Sequence, residues 1–329
     1  MKIAVIGDGG WGTANALLLS GYGHDVTLWG AFPEYIEEMR ATRRNDRFLK
    51  GVVLPESLRL TADRAEAVKD AEIVVLAPPS KFFASVMEGF KGLITGSQLV
   101  VSLTKGLCET SHSRMTELAK SILGVSSVVA LAGPTHAEEV SRGIPTTIVA
   151  ACEDEEKAKL VQKVWSGPLF RVYTSTDPVG VEIGGAVKNV IAIAVGCSDG
   201  MGFGDNTRAA LITRGLAEMK RFVLAYGGKP ETLSGLAGIG DLIVTCTSVH
   251  SRNHSVGERL GKGERIEDIL ASMQMVAEGV WNSKVIHEFA SSLGVEMPIC
   301  DLVYSLCYEG YDAKKAVEAM MTRELKSEQ

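Results

Sequence analysis

Lys2-Ile3-Ala4-Val5-Ile6-Gly7-Asp8-Gly9-Gly10-Trp11-Gly12-Thr13 opens the chain with a short β-branched run that breaks into glycines and then turns helical. The glycines fit the spacing G-x-G-x-x-G between a strand and a helix, and each has a mechanical task. Gly7 permits the tight turn, Gly9 lets backbone approach a pyrophosphate, and Gly12 lets helix and strand close together. The helix that follows points unsatisfied N–H groups at the same place, which suits phosphate. Such a string is weak alone. Here strand, turn, helix and a second strand arrive in order, and a dinucleotide site is the reading they favour over an ordinary βα turn.

Outward from this start, strand-like runs alternate with helical ones. The apolar runs 2–7, 25–29, 72–77, 98–103, 127–132 and 146–151 are expected strands, buried on both faces of a parallel sheet. Helices are expected over 13–20, 34–40, 82–89 and 111–123. From about Glu182 strand signals fade, and helical patterns follow over 187–195, 207–226, 266–273, 280–293, 301–308 and 313–325. The predicted fold is α/β: a doubly wound, Rossmann-like N-terminal domain (1–182), then an all-helical C-terminal domain (183–329). No Pro/Gly/Ser-rich linker separates the halves, so tight packing with a cleft at the junction is expected.

The 329 residues, 46% hydrophobic and 22% charged, suffice for a large core. Lys+Arg 34 against Asp+Glu 40 gives a net charge of −6, a poor match for nucleic-acid phosphates or anionic lipid. No apolar run is expected to reach the roughly 18 residues that cross a bilayer, and Gly7 and Asp8 interrupt any signal-peptide core. The six cysteines form no CxxC pair and lie in apolar stretches. They read as reduced core thiols in a cytoplasmic, metal-free protein.

Several later segments carry chemistry. The second strand ends in Trp29-Gly30-Ala31-Phe32, without the acid that usually holds an NAD ribose and without an adjacent arginine for a 2′-phosphate. Arg40, Arg43 and Arg44 suit a solvated helix face. Phe32 is a candidate to stack on adenine or a plain surface aromatic. The choice between NAD and NADP stays open, leaning to NAD. Lys105 follows a strand at the carboxyl edge of the sheet, where ligands bind. Gly133-Pro134-Thr135-His136-Ala137-Glu138 reads as a binding loop, in which His136 could be only a turn residue. Lys188 precedes Val190-Ile191-Ala192-Ile193-Ala194, so its amine is expected to be desolvated and its pKa lowered, with Lys105 as a second cation pushing the same way. A lysine marking a helix start is the competing reading. Asp241 stands alone in a neutral, Gly-rich stretch. Ser251-Arg252-Asn253 offers a guanidinium fork for a phosphate monoester, or a helix cap with a surface arginine.

Taken together, these strings resemble the NAD(P)-dependent glycerol-3-phosphate dehydrogenases of the soluble bacterial type. The resemblance runs nearly end to end, through Gly7–Thr13, Leu103–Gly106, Ala132–Glu139, Glu182–Val190, Gly204–Gly215, Gly238–Thr247, Ser251–Asn253 and Val276–Val280. It implies interconversion of dihydroxyacetone phosphate and sn-glycerol 3-phosphate for phospholipid synthesis. It also implies Lys188 as proton donor and acceptor, Lys105 touching substrate and cofactor, and Asp241 and Thr245 tuning the lysine. Gly133, Thr135, Ser251, Arg252 and Asn253 would line the substrate site. Gly10, Trp11, Phe82, Ala137, Arg252, Val276 and Glu278 would touch the cofactor. Two departures stand out: Gly10 where many relatives have serine, expected to be harmless, and Ala31-Phe32 where many carry a basic pair, which weakens the case for NADP. A homodimer is expected by analogy.

Overall fold

The computed structural model describes residues 1–316 and Ser327. Ten strands form: β1 Lys2–Ile6, β2 Asp25–Trp29, β3 Arg44–Asn45, β4 Leu49–Val53, β5 Arg59–Thr61, β6 Ile73–Leu76, β7 Leu99–Ser102, β8 Val129–Ala132, β9 Thr146–Ala151 and β10 Phe170–Ser175. Eight make one sheet in the order β10-β9-β8-β7-β6-β1-β2-β5, and β3 pairs β4 apart from it. Alternation along β1 shows why the sheet is apolar throughout. Ile3 and Val5 join the core on one face, while Ala4 and Ile6 join the core on the other.

All six expected strands are present within two residues at either end. Four others (β3, β4, β5 and β10) were not expected. The sheet is also not wholly parallel, because β9 runs antiparallel to β8 while β10 is parallel to β9. The chain between β8 and β9 carries only the one-turn helix Ala137–Val140. A parallel partner needs a crossover that runs back along the whole sheet, usually a full-length helix, and a four-residue helix rising about 6 Å does not do so, so this strand enters from the opposite end.

Arg40 and Arg43 do not lie on a free helix face. Arg40 donates to the Leu60 carbonyl in β5 and Arg43 to those of Leu54 and Leu58 in the β4–β5 loop, tying the helix Pro33–Thr42 and its C-cap to both, while Arg44 lies in β3 and not on a helix.

Beyond β10 the described residues are helical, built around the helix Pro178–Gly200. It begins nine residues earlier than its apolar run suggested, and the boundary expected after Glu182 falls within it. Every residue from Gly180 through Ile193 is buried. This helix corrects the expectation that no segment is long and apolar enough to span a membrane: its best window has mean hydropathy 1.5, but 89% of that window is buried inside the protein. It is a core helix wrapped by others.

The tightest wrapping comes from the helix Arg252–Gly261. A Cβ at Gly196 would lie 2.0 Å from the His254 carbonyl oxygen, and one at Gly200 2.1 Å from that of Glu258. Reciprocally, a Cβ at Gly257 would lie 2.0 Å from the Ile193 oxygen and one at Gly261 2.2 Å from that of Cys197. Four glycines thus let two backbones touch. The last expected helix, 313–325, is helical over 313–316, and the rest of it lies outside the described residues.

Candidate active site

Three segments from the sheet's carboxyl edge face two from the helical half. The registers Ile6↔Leu76 and Leu76↔Ser102 bring Gly7, Ala77 and Leu103 to one level, so the loop carrying Lys105 leaves the sheet beside the glycine turn. Gly133 follows β8 on the same edge. From the other half come Lys188, deep in Pro178–Gly200, and the helix Asp241–Thr247.

Asp241 is the hub. It is 1% exposed, its Oδ1 accepts from Lys188 Nζ at 2.5 Å, and its Oδ2 accepts from Lys105 Nζ at 2.8 Å. Lys188 also donates to Thr245 Oγ1 at 2.6 Å, and that hydroxyl donates one turn back to the Asp241 carbonyl at 2.6 Å. Lys105 donates a second bond to the Gly133 carbonyl at 3.0 Å, an oxygen that also accepts from Thr135 Oγ1. The five positions Lys105, Gly133, Lys188, Asp241 and Thr245 therefore form one network.

Burial drives the Lys188 amine down to about 7; Lys105 pushes the same way and Asp241 resists. For Asp241 burial alone would raise the carboxyl, but the ammoniums of Lys105 and Lys188 outweigh it and hold it low. A lysine poised near neutrality can both give and take a proton. Lys188 sits mid-helix, so the helix-start reading of it does not hold.

His136, open in the sequence between turn residue and site residue, stands just before the helix Ala137–Val140 without a side-chain capping bond, and both lysines act on its ring. Burial, then Lys188 and Lys105, lower its pKa, so it faces them as a neutral ring. Asn189 was not singled out, and its signal was only its place beside Lys188. Its Oδ1 accepts from Asn253 Nδ2 at 2.9 Å, and Asn253 Oδ1 accepts from the Gly279 N–H at 2.8 Å. Ser251 does act as the helix cap, accepting from the His254 N–H. Arg252 is exposed at that helix start and donates to the Val276 carbonyl at 2.7 Å. Glu278 is turned to the first half of the chain, where both its oxygens accept from Ser80, through N–H and hydroxyl.

The glycine turn fits a dinucleotide. Gly7 adopts φ 119°, and a Cβ there would lie 2.9 Å from the Ala77 backbone, so only glycine suits it. A Cβ at Gly12 would meet the Gly7 oxygen at 2.0 Å, whereas Gly9 has open space in front of it. Gly10 is less neutral than expected: a Cβ there would come 2.7 Å from the Phe48 carbonyl oxygen, because the β3–β4 loop closes over it. The Trp11 indole N–H is buried without a partner beside this turn. Phe32 and Phe82 are 58% and 47% exposed, each beside a cation, Arg47 and Lys81 respectively. Ala137 lies across from Gly10. Among the described residues no cluster of His, Cys, Asp or Glu suits a metal ion.

Comparison with known proteins follows the same division of the chain. Residues 2–158 match the family described as NAD-dependent glycerol-3-phosphate dehydrogenase N-terminus, and residues 177–318 match its C-terminus. The chain is 49% identical over 331 residues to the Glycerol-3-phosphate dehydrogenase [NAD(P)+] of Chlorobium limicola, covering 100% of this chain and 99% of that one. It is 48% identical over 332 residues to the protein of that name from Trichlorobacter lovleyi, covering 100% of both. Among solved structures, glycerol-3-phosphate dehydrogenase from Coxiella burnetii superposes with a TM-score of 0.94 at 38% identity, covering 98% of this chain and 99% of that one. Both halves, their order and the fold therefore agree, and the chain belongs to the NAD-dependent glycerol-3-phosphate dehydrogenase family.

Proposed function

We propose that the protein interconverts dihydroxyacetone phosphate and sn-glycerol 3-phosphate with NAD or NADP, with Lys188 as the group that moves the proton. The observation that carries this reading is the buried Lys188–Asp241–Lys105 network at the carboxyl edge of a dinucleotide-type sheet. When bound, the dinucleotide supplies or accepts the hydride at C2 of the substrate.

The chain's own groups do the rest. Negative charge grows on the C2 oxygen during reduction, and a protonated Lys188 stabilises it and then donates its proton there. Asp241 and Thr245 hold the amine in one direction, while Lys105 adds positive charge from the other side. Arg252, with the N-terminal N–H groups of its helix, suits the substrate phosphate, whose binding fixes C2 against the lysine. The sheet half (1–182) carries the nucleotide site and the helical half most of the substrate site. Glycerol 3-phosphate made here would feed phospholipid synthesis. A homodimer stays the expectation by analogy; of Ala209, Ala210, Leu211 and Ile212 on the helix Asp205–Ala225, only the two alanines are exposed, while Leu211 and Ile212 pack against the helical core.

The test follows nicotinamide absorbance with dihydroxyacetone phosphate in the wild type and in Lys188→Ala. The variant should lose about 10²–10⁴-fold in turnover while binding the nucleotide as tightly as before. Near-normal turnover in the variant would remove Lys188 from the chemistry. Arg252→Ala should chiefly raise KM for the phosphate-bearing substrate.

A further inference from the structure

One acid in the glycine turn has no part in the chemistry above. Asp8 is 8% exposed, and its Oδ2 is buried without a hydrogen-bond partner. Its backbone is pinned, because its carbonyl accepts from Thr13 Oγ1 at 3.1 Å and from Asn45 Nδ2 at 2.7 Å. The side chain is therefore aimed by its main chain and not by a partner of its own. It is aimed at the end of β2: a Cβ on Gly30 would stand 2.6 Å from Asp8 Oδ2 and 2.7 Å from its Cγ.

That location matters because the end of β2 is where a dinucleotide-binding sheet usually carries an acid for the ribose 2′-hydroxyl. This chain has Trp29-Gly30-Ala31-Phe32 there and no acid. The missing side chain of Gly30 leaves the space that the Asp8 carboxylate fills. A buried carboxylate oxygen without a donor is costly; Oδ2 itself is closed off, so a hydroxyl would meet the group through the 8% of Asp8 that stays exposed. Burial pushes the group up to about 6, with its own backbone N–H and Arg47 opposing, so it is mostly ionised at neutral pH.

We propose that Asp8, reaching across Gly30, takes the role of the absent β2 acid, holding the adenosine ribose 2′-hydroxyl and selecting NAD(H) over NADP(H). The proposal rests on the dinucleotide reading above and adds the cofactor choice to it. A 2′-phosphate would set a dianion against a largely buried carboxylate, where repulsion is poorly screened. Arg47 is the obvious counter-argument, since its guanidinium lies 5.9, 5.7 and 5.1 Å from the ring centres of Phe32, Tyr35 and Phe48 and is the cation acting on Asp8. Because the same guanidinium acts on the Asp8 carboxylate, part of any attraction it offers a phosphate is offset there.

The experiment titrates NADH and NADPH separately, by nicotinamide fluorescence, into the wild type, Asp8→Ala, Asp8→Asn and Arg47→Ala. Thermal unfolding of each checks that the fold is kept. The wild type is expected to bind NADH at least about tenfold more tightly than NADPH, the discrimination one good polar contact provides. Both Asp8 variants should shrink that ratio by about tenfold, Asp8→Asn mainly by tightening NADPH. Arg47→Ala should not weaken NADPH selectively.

A wild-type preference for NADPH, an unchanged ratio in folded Asp8 variants, or a selective loss of NADPH in Arg47→Ala would each overturn the proposal. If the wild type meanwhile reduces dihydroxyacetone phosphate, the enzymatic reading survives that failure. If the wild type binds neither nucleotide, both fall.

Discussion

Lys188 shows how one position becomes chemical. An exposed lysine is protonated at neutral pH and holds its proton too firmly to act as a base, whereas burial among the apolar turns of Pro178–Gly200 brings this one to about 7. The direction of the shift fixes the pH dependence. Reduction needs the protonated amine, so its kcat should fall as pH rises through about 7. Oxidation needs the neutral amine, so its kcat should climb over the same range. Saturating rates measured in both directions from acid to alkaline pH check this, and profiles that move together would exclude Lys188 as the titrating group. Much of this was legible in the sequence: a cation in an apolar run, and a carboxylate in a neutral glycine-rich one. Their pairing was not, since Lys188 and Asp241 lie 53 residues apart and Lys105 and Asp241 lie 136 apart. Asp8 shows the same limit, as nothing in the sequence says that an acid in one turn will fill the space left by a glycine at the end of another strand.

At the scale of elements, strands announced themselves by β-branched runs, while the long core helix was underestimated. The reason lies in its composition. Gly180, Gly184, Gly185, Gly196 and Gly200 depress helix propensity and break the apolar pattern, yet they are what let neighbours approach. β5 escaped notice because three residues leave little pattern to read, and β10 because its six residues expose Arg171 and Tyr173 between buried Phe170 and Val172 and so lack the unbroken apolar run of the inner strands. The interlock between Pro178–Gly200 and Arg252–Gly261 leads to a prediction. Gly257→Ala would drive a methyl into the Ile193 carbonyl and should cost about 1–3 kcal/mol in urea unfolding. Because Arg252 and Asn253 begin the displaced helix, KM for the phosphate-bearing substrate should rise more than kcat falls. A variant of unchanged stability and KM would show that the two helices have slack.

Across the whole molecule the halves are sewn together by charged and polar groups as well as by apolar packing. Arg114, 4% exposed at the start of the helix Met115–Leu123, donates to Glu182 Oε2 at 2.5 Å, and Glu182 also accepts from the Thr116 N–H and hydroxyl. Lys284 donates to Glu109 at 2.8 Å, and Tyr226 reaches the His112 carbonyl. Removing one member of a buried pair strands the other. Arg114→Met should therefore cost about 3–5 kcal/mol of unfolding free energy, measured by denaturant titration, while Lys284→Met, whose pair with Glu109 is screened by solvent, should cost far less. Equal costs would show that the Arg114 pair is not as dry as its burial indicates.

The Asp241 hub, finally, has an arithmetic of its own. One anion shared by two cations leaves the cleft in credit by one positive charge whenever both amines are protonated, and burial keeps that imbalance from being screened away. Sulfate or inorganic phosphate from a buffer is a natural tenant of such a place. Affinities for the phosphorylated substrate measured in those salts will read weaker than in a zwitterionic buffer, and the discrepancy will widen as pH falls through about 7 and Lys188 gains its proton.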